Sequence, residues 1–331
     1  MRIGIIGTGA LASLFAARLS DVSDLVMVGS WQAQIDAVLA NGLILIEMNG
    51  HSTSHLLTIT NDPYSVDPVD VALVLVKSYQ TETAVSRIQP LLSPNGLIIT
   101  LQNGVGNSEI LQAGLQNTGV TVGVTSMGAT VVEPGFVRHA GDGPVYLAPP
   151  TVDNEQFLPL VNLLRQAGFD AEVADDVDSL VWGKLAINTG INPLTAVLNV
   201  PNGYLAEHED ARAVMMAAAQ ETETVAGALG IQLPYPDAAE QVLAVAQATA
   251  QNRSSMLQDL DRGSQTEIDA ICGAVVKMGE RVGVETAVNL QLLAWIKQIE
   301  AEISDQRPKT NDERSIIGHS SLVKLLNKLE E

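Results

Sequence analysis

Three groups of residues carry chemistry by type and spacing. Gly7-Thr8-Gly9-Ala10-Leu11-Ala12 reads Gly-x-Gly-x-x-Ala. In such a turn the first glycine permits a sharp reversal and the second lets the backbone approach a pyrophosphate. A small third residue lets helix and strand pack closely. A helix beginning there offers unpaired N–H groups and a partial positive charge to an anion. Lys184, Asn188 and Asn192 stand at i, i+4 and i+8. On a helix each such step drifts by about 40°, so the three share one face. Asn252 and Ser255, at i and i+3, share a face by the same rule. One ammonium among amides and a hydroxyl suits an anionic substrate whose carbonyl oxygen takes up a proton as hydride arrives from a nicotinamide.

Each of these residues also has a plainer reading. A lone helical lysine is usually a solvated charge, although Val181, Trp182, Leu185 and Ala186 flank Lys184 with apolar surface. Asparagines cost helix propensity and serve as caps and turn formers, and Asn202-Gly203 makes a good turn by itself. Pro193 disfavours helical angles at Asn192, so the helix is expected to end or kink there and aim the Asn192 side chain into a cleft.

Elements must hold these groups in place. Ile3–Ile6, Leu25–Val28, Val71–Val76 and Leu97–Leu101 are short apolar runs without period-two alternation, as in strands covered on both faces. Ala10–Leu19, Gln32–Leu39 and Thr81–Leu91 have helical spacing between them. That order predicts an α/β fold with an open, mostly parallel sheet. Asn41–Thr60 reads as an inserted hairpin, and Val120–Thr125, Gly135–His139 and Val145–Ala148 as later strands, with a turn at Gly141-Asp142-Gly143. Glu155–Gln166 and Ala171–Val173 supply one more helix and strand, so Pro149-Pro150 is not the boundary. From Asp175 helical patterns alone continue to about Ser304. The expected division is 1–174, a dinucleotide-binding domain; 175–304, an all-helical domain; and 305–331, a tail. In the tail Leu322, Leu325, Leu326 and Leu329 make an amphipathic face that folds back on the core or onto a partner subunit, as in a homodimer.

Composition narrows the function classes. Lys plus Arg is 18 and Asp plus Glu is 38, a net charge of −20. Nucleic acid and anionic membranes are therefore poor partners, whereas a small anionic ligand in a locally positive site is not excluded. A single cysteine, Cys272, makes neither an internal disulfide nor a thiolate metal site, and the five histidines lack paired ligand spacing, so no metal is expected. The N-terminal apolar run is read as strand plus glycine turn, not as a signal peptide, which predicts a cytoplasmic protein.

Further motifs carry a family resemblance. Val76-Lys77-Ser78-Tyr79-Gln80 and Leu101-Gln102-Asn103-Gly104-Val105-Gly106 each follow a buried strand. Downstream come Trp182-Gly183-Lys184-Leu185-Ala186-Ile187-Asn188, Ile191-Asn192-Pro193-Leu194-Thr195-Ala196 and Pro201-Asn202-Gly203. Asn252-Arg253-Ser254-Ser255-Met256-Leu257-Gln258-Asp259 and Thr266-Glu267-Ile268-Asp269 complete the series. In this order, over residues 1 to about 304, they resemble the ketopantoate reductase (2-dehydropantoate 2-reductase) family. The resemblance implies a Rossmann-like domain followed by an all-α domain like the C-terminal domain of 6-phosphogluconate dehydrogenase. It implies NADPH-dependent reduction of 2-dehydropantoate to (R)-pantoate, on the route to pantothenate and coenzyme A, with the keto acid between the two domains.

By the same resemblance Lys184 is the proton donor and Glu267 lies beside it. Asn103, Asn188, Asn192, Asn202, Asn252 and Ser255 bind substrate. Lys77, Gln80, Asn103, Ala129 and Glu267 line the cofactor with the glycine turn. Two other readings stay open: a paralogue reducing another 2-keto acid, and a non-catalytic NADP-binding redox sensor. After the second strand, Val28-Gly29-Ser30-Trp31-Gln32 offers neither the acid that holds the ribose 2′-hydroxyl of NAD nor the Arg that meets the 2′-phosphate of NADP. Ser30, in the usual Arg place, and Gln32 offer neutral donors, which favours NADP(H) while leaving NAD(H) open. Ser30→Arg should raise kcat/KM for NADPH relative to NADH; an unmoved ratio would place the ribose elsewhere.

Overall fold

The computed structural model describes residues 1–115, 118–304 and 321–325. The chain divides into two compact units. The first is Met1–Gln102 with Gly106–Val177; the second is Asn103–Val105 with the chain from Asp178 onward.

Unit 1 holds β1 (Arg2–Ile6), α1 (Ala10–Ser20), β2 (Asp24–Val28), α2 (Gln32–Asn41), β3 (Leu43–Ile46), β4 (Ser52–His55), β5 (Thr58–Thr60) and β6 (Val69–Val74). Then come α3 (Thr81–Leu91), β7 (Leu92–Thr100), α4 (Asn107–Gly114), β8 (Gly119–Thr125), β9 (Gly128–Glu133), β10 (Phe136–Gly141), β11 (Val145–Leu147), α5 (Phe157–Gln166) and β12 (Ala171–Val173). The main sheet runs β12-β11-β8-β7-β6-β1-β2-β5 and is parallel except where β11 meets β8. Its strands alternate between two cores. Ile3, Ile5, Val71, Leu73, Leu97 and Ile99 enter one; Ile6, Ala72, Val74 and Ile98 enter the other. Continuous apolar runs are thus used on both faces, as a helix-covered parallel sheet requires.

The region 41–60 departs from a simple hairpin. β3 and β4 do pair antiparallel, but β10 and β9 extend them into a second, four-stranded sheet, while β5 leaves to pair with β2 in the main one. β9 was not expected: Gly128-Ala129-Thr130-Val131-Val132-Glu133 has only partial burial and no period-two signal.

Unit 2 is helical: α6 (Val177–Leu198), α7 (Asn202–Glu207), α8 (Glu209–Ala228), α9 (Ala238–Ala248), α10 (Ser255–Asp261), α11 (Cys272–Val282) and α12 (Ala287–Ser304). The helix does not end at Pro193. It continues to Leu198 with Asn192 inside it. Proline deprives the Thr189 carbonyl of its usual N–H partner, yet every residue from Thr189 to Val197 is buried, and that packing outweighs the local preference. Cys272, Trp182 and Met256 are core residues, as are Leu322 and Leu325, so the described part of the tail does fold onto this core. Leu326 and Leu329 lie outside the described residues. Among the described residues no helix is long and apolar enough to cross a membrane.

Phe15 of α1 is fully buried and stacks on Phe169 with centroids 4.4 Å apart. Phe15→Ala should cost about 3–5 kcal/mol in chemical denaturation of unit 1; a loss below about 1 kcal/mol would mean the core closes over the gap.

Candidate active site

Unit 1 carries the glycine turn that the sequence suggests for phosphate. Gly7 follows β1 with φ +131°, and its N–H donates to the Val28 carbonyl at 2.8 Å. A Cβ there would sit 3.0 Å from the Leu75 carbonyl oxygen, so only glycine fits. Gly9 caps α1, and a Cβ built on it meets nothing within 4 Å, the open approach that a pyrophosphate needs. No side chain caps the helix and no acid stands in its first turn, so its N–H groups face outward without anionic competition. Ala12 is fully buried where the helix meets the sheet. A dinucleotide fits this turn.

Three other cofactor candidates of unit 1, Ser30, Lys77 and Gln80, also follow the carboxyl ends of strands, where open α/β sheets bind ligands. Ser30 lies exposed two residues beyond β2. Gln32 beside it is partly engaged: one N–H of its amide donates to Asp36 Oδ1 at 2.7 Å and its oxygen accepts from Asn61 at 3.3 Å. Asp36, one helical turn ahead, competes for the group that was expected to meet phosphate. Lys77 and Gln80 flank a short 3-10 turn after β6 and are partly buried. Ala129 lies in β9 opposite His139.

A buried network that motif reading misses supports this edge. Gln102 Nε2 donates to the Val76 carbonyl at 3.1 Å and to Thr81 Oγ1 at 2.9 Å. Thr81 in turn donates to Asn107 Oδ1 at 2.9 Å. One amide therefore ties the end of β6, the start of α3 and the start of α4 together, which fixes the Lys77–Gln80 turn. A polar Gln between a buried strand and Asn-Gly was the available signal.

Unit 2 assembles an ammonium, a carboxylate and an amide. Lys184 projects from α6, with Asn188 and Asn192 one and two steps along the same face. Gly183 beside it lets the Pro234–Tyr235 loop press onto the helix, where Tyr235 donates to the Gly183 carbonyl at 2.6 Å. Burial pushes the Lys184 ammonium down to about 8, and the charge of Glu267 pulls it back up. Glu267 is itself buried in the turn that leads to α11. The turn closes as the Ala270 and Ile271 N–H groups donate to the Glu267 carbonyl at 3.1 Å each. Asn103 Nδ2 donates to Glu267 Oε2 at 3.2 Å, and Val105 N–H to the Ala270 carbonyl at 3.2 Å. Gly104, at φ +82°, is required between them because a Cβ would lie 2.2 Å from the Ala270 carbonyl oxygen.

The remaining candidates are arranged less simply. Asn252 and Ser255 do not share a helix face, because α10 begins only at Ser255. Ser254 caps that helix by accepting from Leu257 N–H at 3.1 Å, which leaves Asn252 in the preceding turn. Thr195 donates to the Ser254 hydroxyl at 2.7 Å, tying α10 to α6. Asn202 is buried: its N–H donates to the Asn252 carbonyl at 2.9 Å and its Nδ2 to Thr249 Oγ1 at 2.9 Å, while its buried Oδ1 has no partner among the described residues. An orphaned buried acceptor is costly unless a ligand donor meets it. Among the described residues no group of three or more His, Cys, Asp or Glu side chains is placed to hold a metal ion.

Comparison with known proteins follows this geometry. A family model described as ketopantoate reductase PanE/ApbA matches residues 3–151, and one described as ketopantoate reductase PanE/ApbA C terminal matches residues 176–300. A 2-dehydropantoate 2-reductase of Archaeoglobus fulgidus is 37% identical over 91% of this chain and 98% of its own. One of Halobacterium salinarum is 33% identical over 84% and 91%. Among solved structures, a PanE/ApbA family ketopantoate reductase from Ralstonia eutropha JMP134 superposes with TM-score 0.85 at 30% identity, covering 92% of this chain and all of that one. D-mandelate dehydrogenase with NADH and anilino(oxo)acetate does so with TM-score 0.84 at 25% identity, over 92% of this chain and all of that one.

Titration of the Lys184 ammonium, followed by the pH dependence of its acylation rate, should have its midpoint near 8. Glu267→Gln removes the charge that favours the protonated form, so the midpoint should fall; a midpoint near that of free lysine would contradict this environment.

Proposed function

The chain belongs to the ketopantoate reductase family, oxidoreductases acting on a 2-keto acid and its 2-hydroxy acid, and on that basis we propose that it reduces 2-dehydropantoate to (R)-pantoate with NADPH, a step toward pantothenate and coenzyme A. The observation that carries the reading is the partly buried Lys184, whose ammonium is lowered by desolvation to about 8 against the pull of the Glu267 carboxylate. Such a group is protonated at neutral pH yet close enough to its titration point to give the proton up.

Gly7, Thr8, Gly9, Ala10, Leu11 and Ala12 hold the pyrophosphate, with Ser30, Lys77, Gln80, Asn103, Ala129 and Glu267 as further cofactor contacts. A nicotinamide cofactor held there would supply the hydride for C2 of the keto acid. Lys184 Nζ stabilises the negative charge growing on the C2 oxygen and transfers a proton to it. Glu267 keeps Lys184 charged until that moment and accepts a hydrogen bond from the substrate's terminal hydroxyl. The amides of Asn188, Asn192 and Asn252 and the hydroxyl of Ser255 engage the carboxylate and hydroxyl. The unpaired Oδ1 of Asn202 accepts from a donor of the substrate.

A second reading, reduction of another 2-keto acid with NADH, has its own support. Ser30 replaces an Arg, Asp36 occupies the Gln32 amide, and D-mandelate dehydrogenase, a structural relative, is known with NADH. Oxidation of NADPH against NADH, with ketopantoate against phenylglyoxylate, separates the two. Lys184→Ala should lower kcat by about 10²–10⁴-fold while the NADPH dissociation constant stays within about twofold. Turnover near that of the wild type would end the proton-donor assignment. Glu267→Ala should chiefly raise the ketopantoate KM.

A further inference from the structure

The turn that carries Glu267 is gripped from its other side by α12. Glu300 Oε1 accepts from both the Thr266 N–H and the Thr266 hydroxyl, each at 2.7 Å. Thr266 Oγ1 also accepts from Ile268 N–H at 3.2 Å, which closes the turn around Glu267. One helical step earlier, Lys297 donates to Glu300 Oε2 at 3.3 Å and forms an ion pair with Asp269. Two residues at i and i+3 on one helix face therefore hold Thr266 and Asp269, the residues on either side of the Glu267-Ile268 pair. None of these contacts belongs to the reacting groups, and the mechanism above uses none of them.

The arrangement acts on one coordinate. Thr266 is 1% exposed, so without Glu300 its buried N–H and hydroxyl would both lose the acceptor they share. The turn would have to move to satisfy them. Glu267, the next residue, would move with it and draw away from the Asn103 amide that meets it at 3.2 Å.

We propose that Glu300, braced by Lys297, is a positioning residue that sets the Glu267 carboxylate against Lys184 through the Thr266–Asp269 turn. The proposal rests on the roles of Lys184 and Glu267 given above. Its reach is specific. Coulomb attraction falls with distance, so a displaced Glu267 supports the Lys184 ammonium less. Glu267 is the charged group that acts on Lys184, and Asp269, Lys297 and Glu300 are the charged groups of the clamp. Loss of the clamp lowers the pH at which Lys184 gives up its proton, and ketoacid reduction fails earlier on the alkaline side.

The test compares Glu300→Ala, Glu300→Gln and Thr266→Val in the full chain, each alone and with Glu267→Gln. Ketopantoate reduction is followed as kcat/KM against pH, alongside the NADPH dissociation constant and the thermal midpoint. Glu300→Ala should raise the ketopantoate KM by about tenfold and move the alkaline limb to lower pH, in the direction that Glu267→Gln moves it. The NADPH dissociation constant should rise less than the ketopantoate KM, because most cofactor contacts lie outside the displaced turn. Glu300→Gln should restore the limb, because its amide oxygen still accepts from Thr266. In the Glu267→Gln background Glu300→Ala should move the limb no further.

An alkaline limb unmoved by Glu300→Ala, while Glu267→Gln shifts it, overturns the positioning role and leaves the reductase reading intact. A limb unmoved by Glu267→Gln itself overturns the coupling of Glu267 to Lys184, and the positioning role with it; only failure of the unaltered protein to reduce ketopantoate overturns the reductase reading. If Glu300→Ala does not fold, Thr266→Val decides: it keeps the volume and the N–H bond to Glu300 and loses the hydroxyl, with its bond to Glu300 and the one it accepts from Ile268 N–H. A smaller limb shift supports the clamp and no shift refutes it.

Discussion

An ammonium surrounded by apolar atoms sheds its proton unless a negative charge holds it, and a buried carboxylate is costly unless donors surround it. Lys184 and Glu267 answer each other's cost. Burial drives the lysine toward neutrality, the glutamate opposes that, and the result is an acid near 8. Much of unit 2 serves this balance. α6 is held rigid by close approaches at Gly183 and Gly190, where a Cβ would meet Pro234 or the Met215 carbonyl within 3 Å. The Glu267 turn is held by Asn103 on one side and by α12 on the other.

Unit 1 obeys a different constraint. The start of its first helix is arranged by subtraction, as the proposed anion site asks: no Cβ at Gly7 or Gly9, no side-chain cap on α1, no acid in the first turn. On a chain of net charge −20 this local freedom from carboxylates matters more than any added cation.

The alternation of apolar strands and helical runs was legible because a parallel sheet buried on both faces leaves no room for polar residues in its strands. The glycine turn was legible because the demand falls on residue type itself. Lys184, Asn188 and Asn192 sharing a face followed from spacing alone. Other features were set by distant packing. Pro193 stays helical because buried neighbours on both sides outweigh its local preference, and α10 starts late because Ser254, tied to Thr195 of α6, claims the cap. β9 has too weak a pattern to declare itself, and the link between Glu300 and Thr266 spans 34 positions with no motif joining them. Glu267 stood out from neighbouring acids only through family resemblance; Asp259 is equally buried, and what distinguishes Glu267 physically is its bond to Asn103 and its charge acting on Lys184.

Residues 103–105 lie within the stretch of chain that forms the first unit, yet they are packed as part of the second. The two bodies are consequently not interchangeable cassettes. A polypeptide beginning at Asp178 would carry Glu267 but leave behind the amide that meets it and the Val105 N–H that steadies Ala270. Recombination of one body onto an unrelated partner would have to transplant this three-residue graft as well, so heredity binds the halves more tightly than a single linker would.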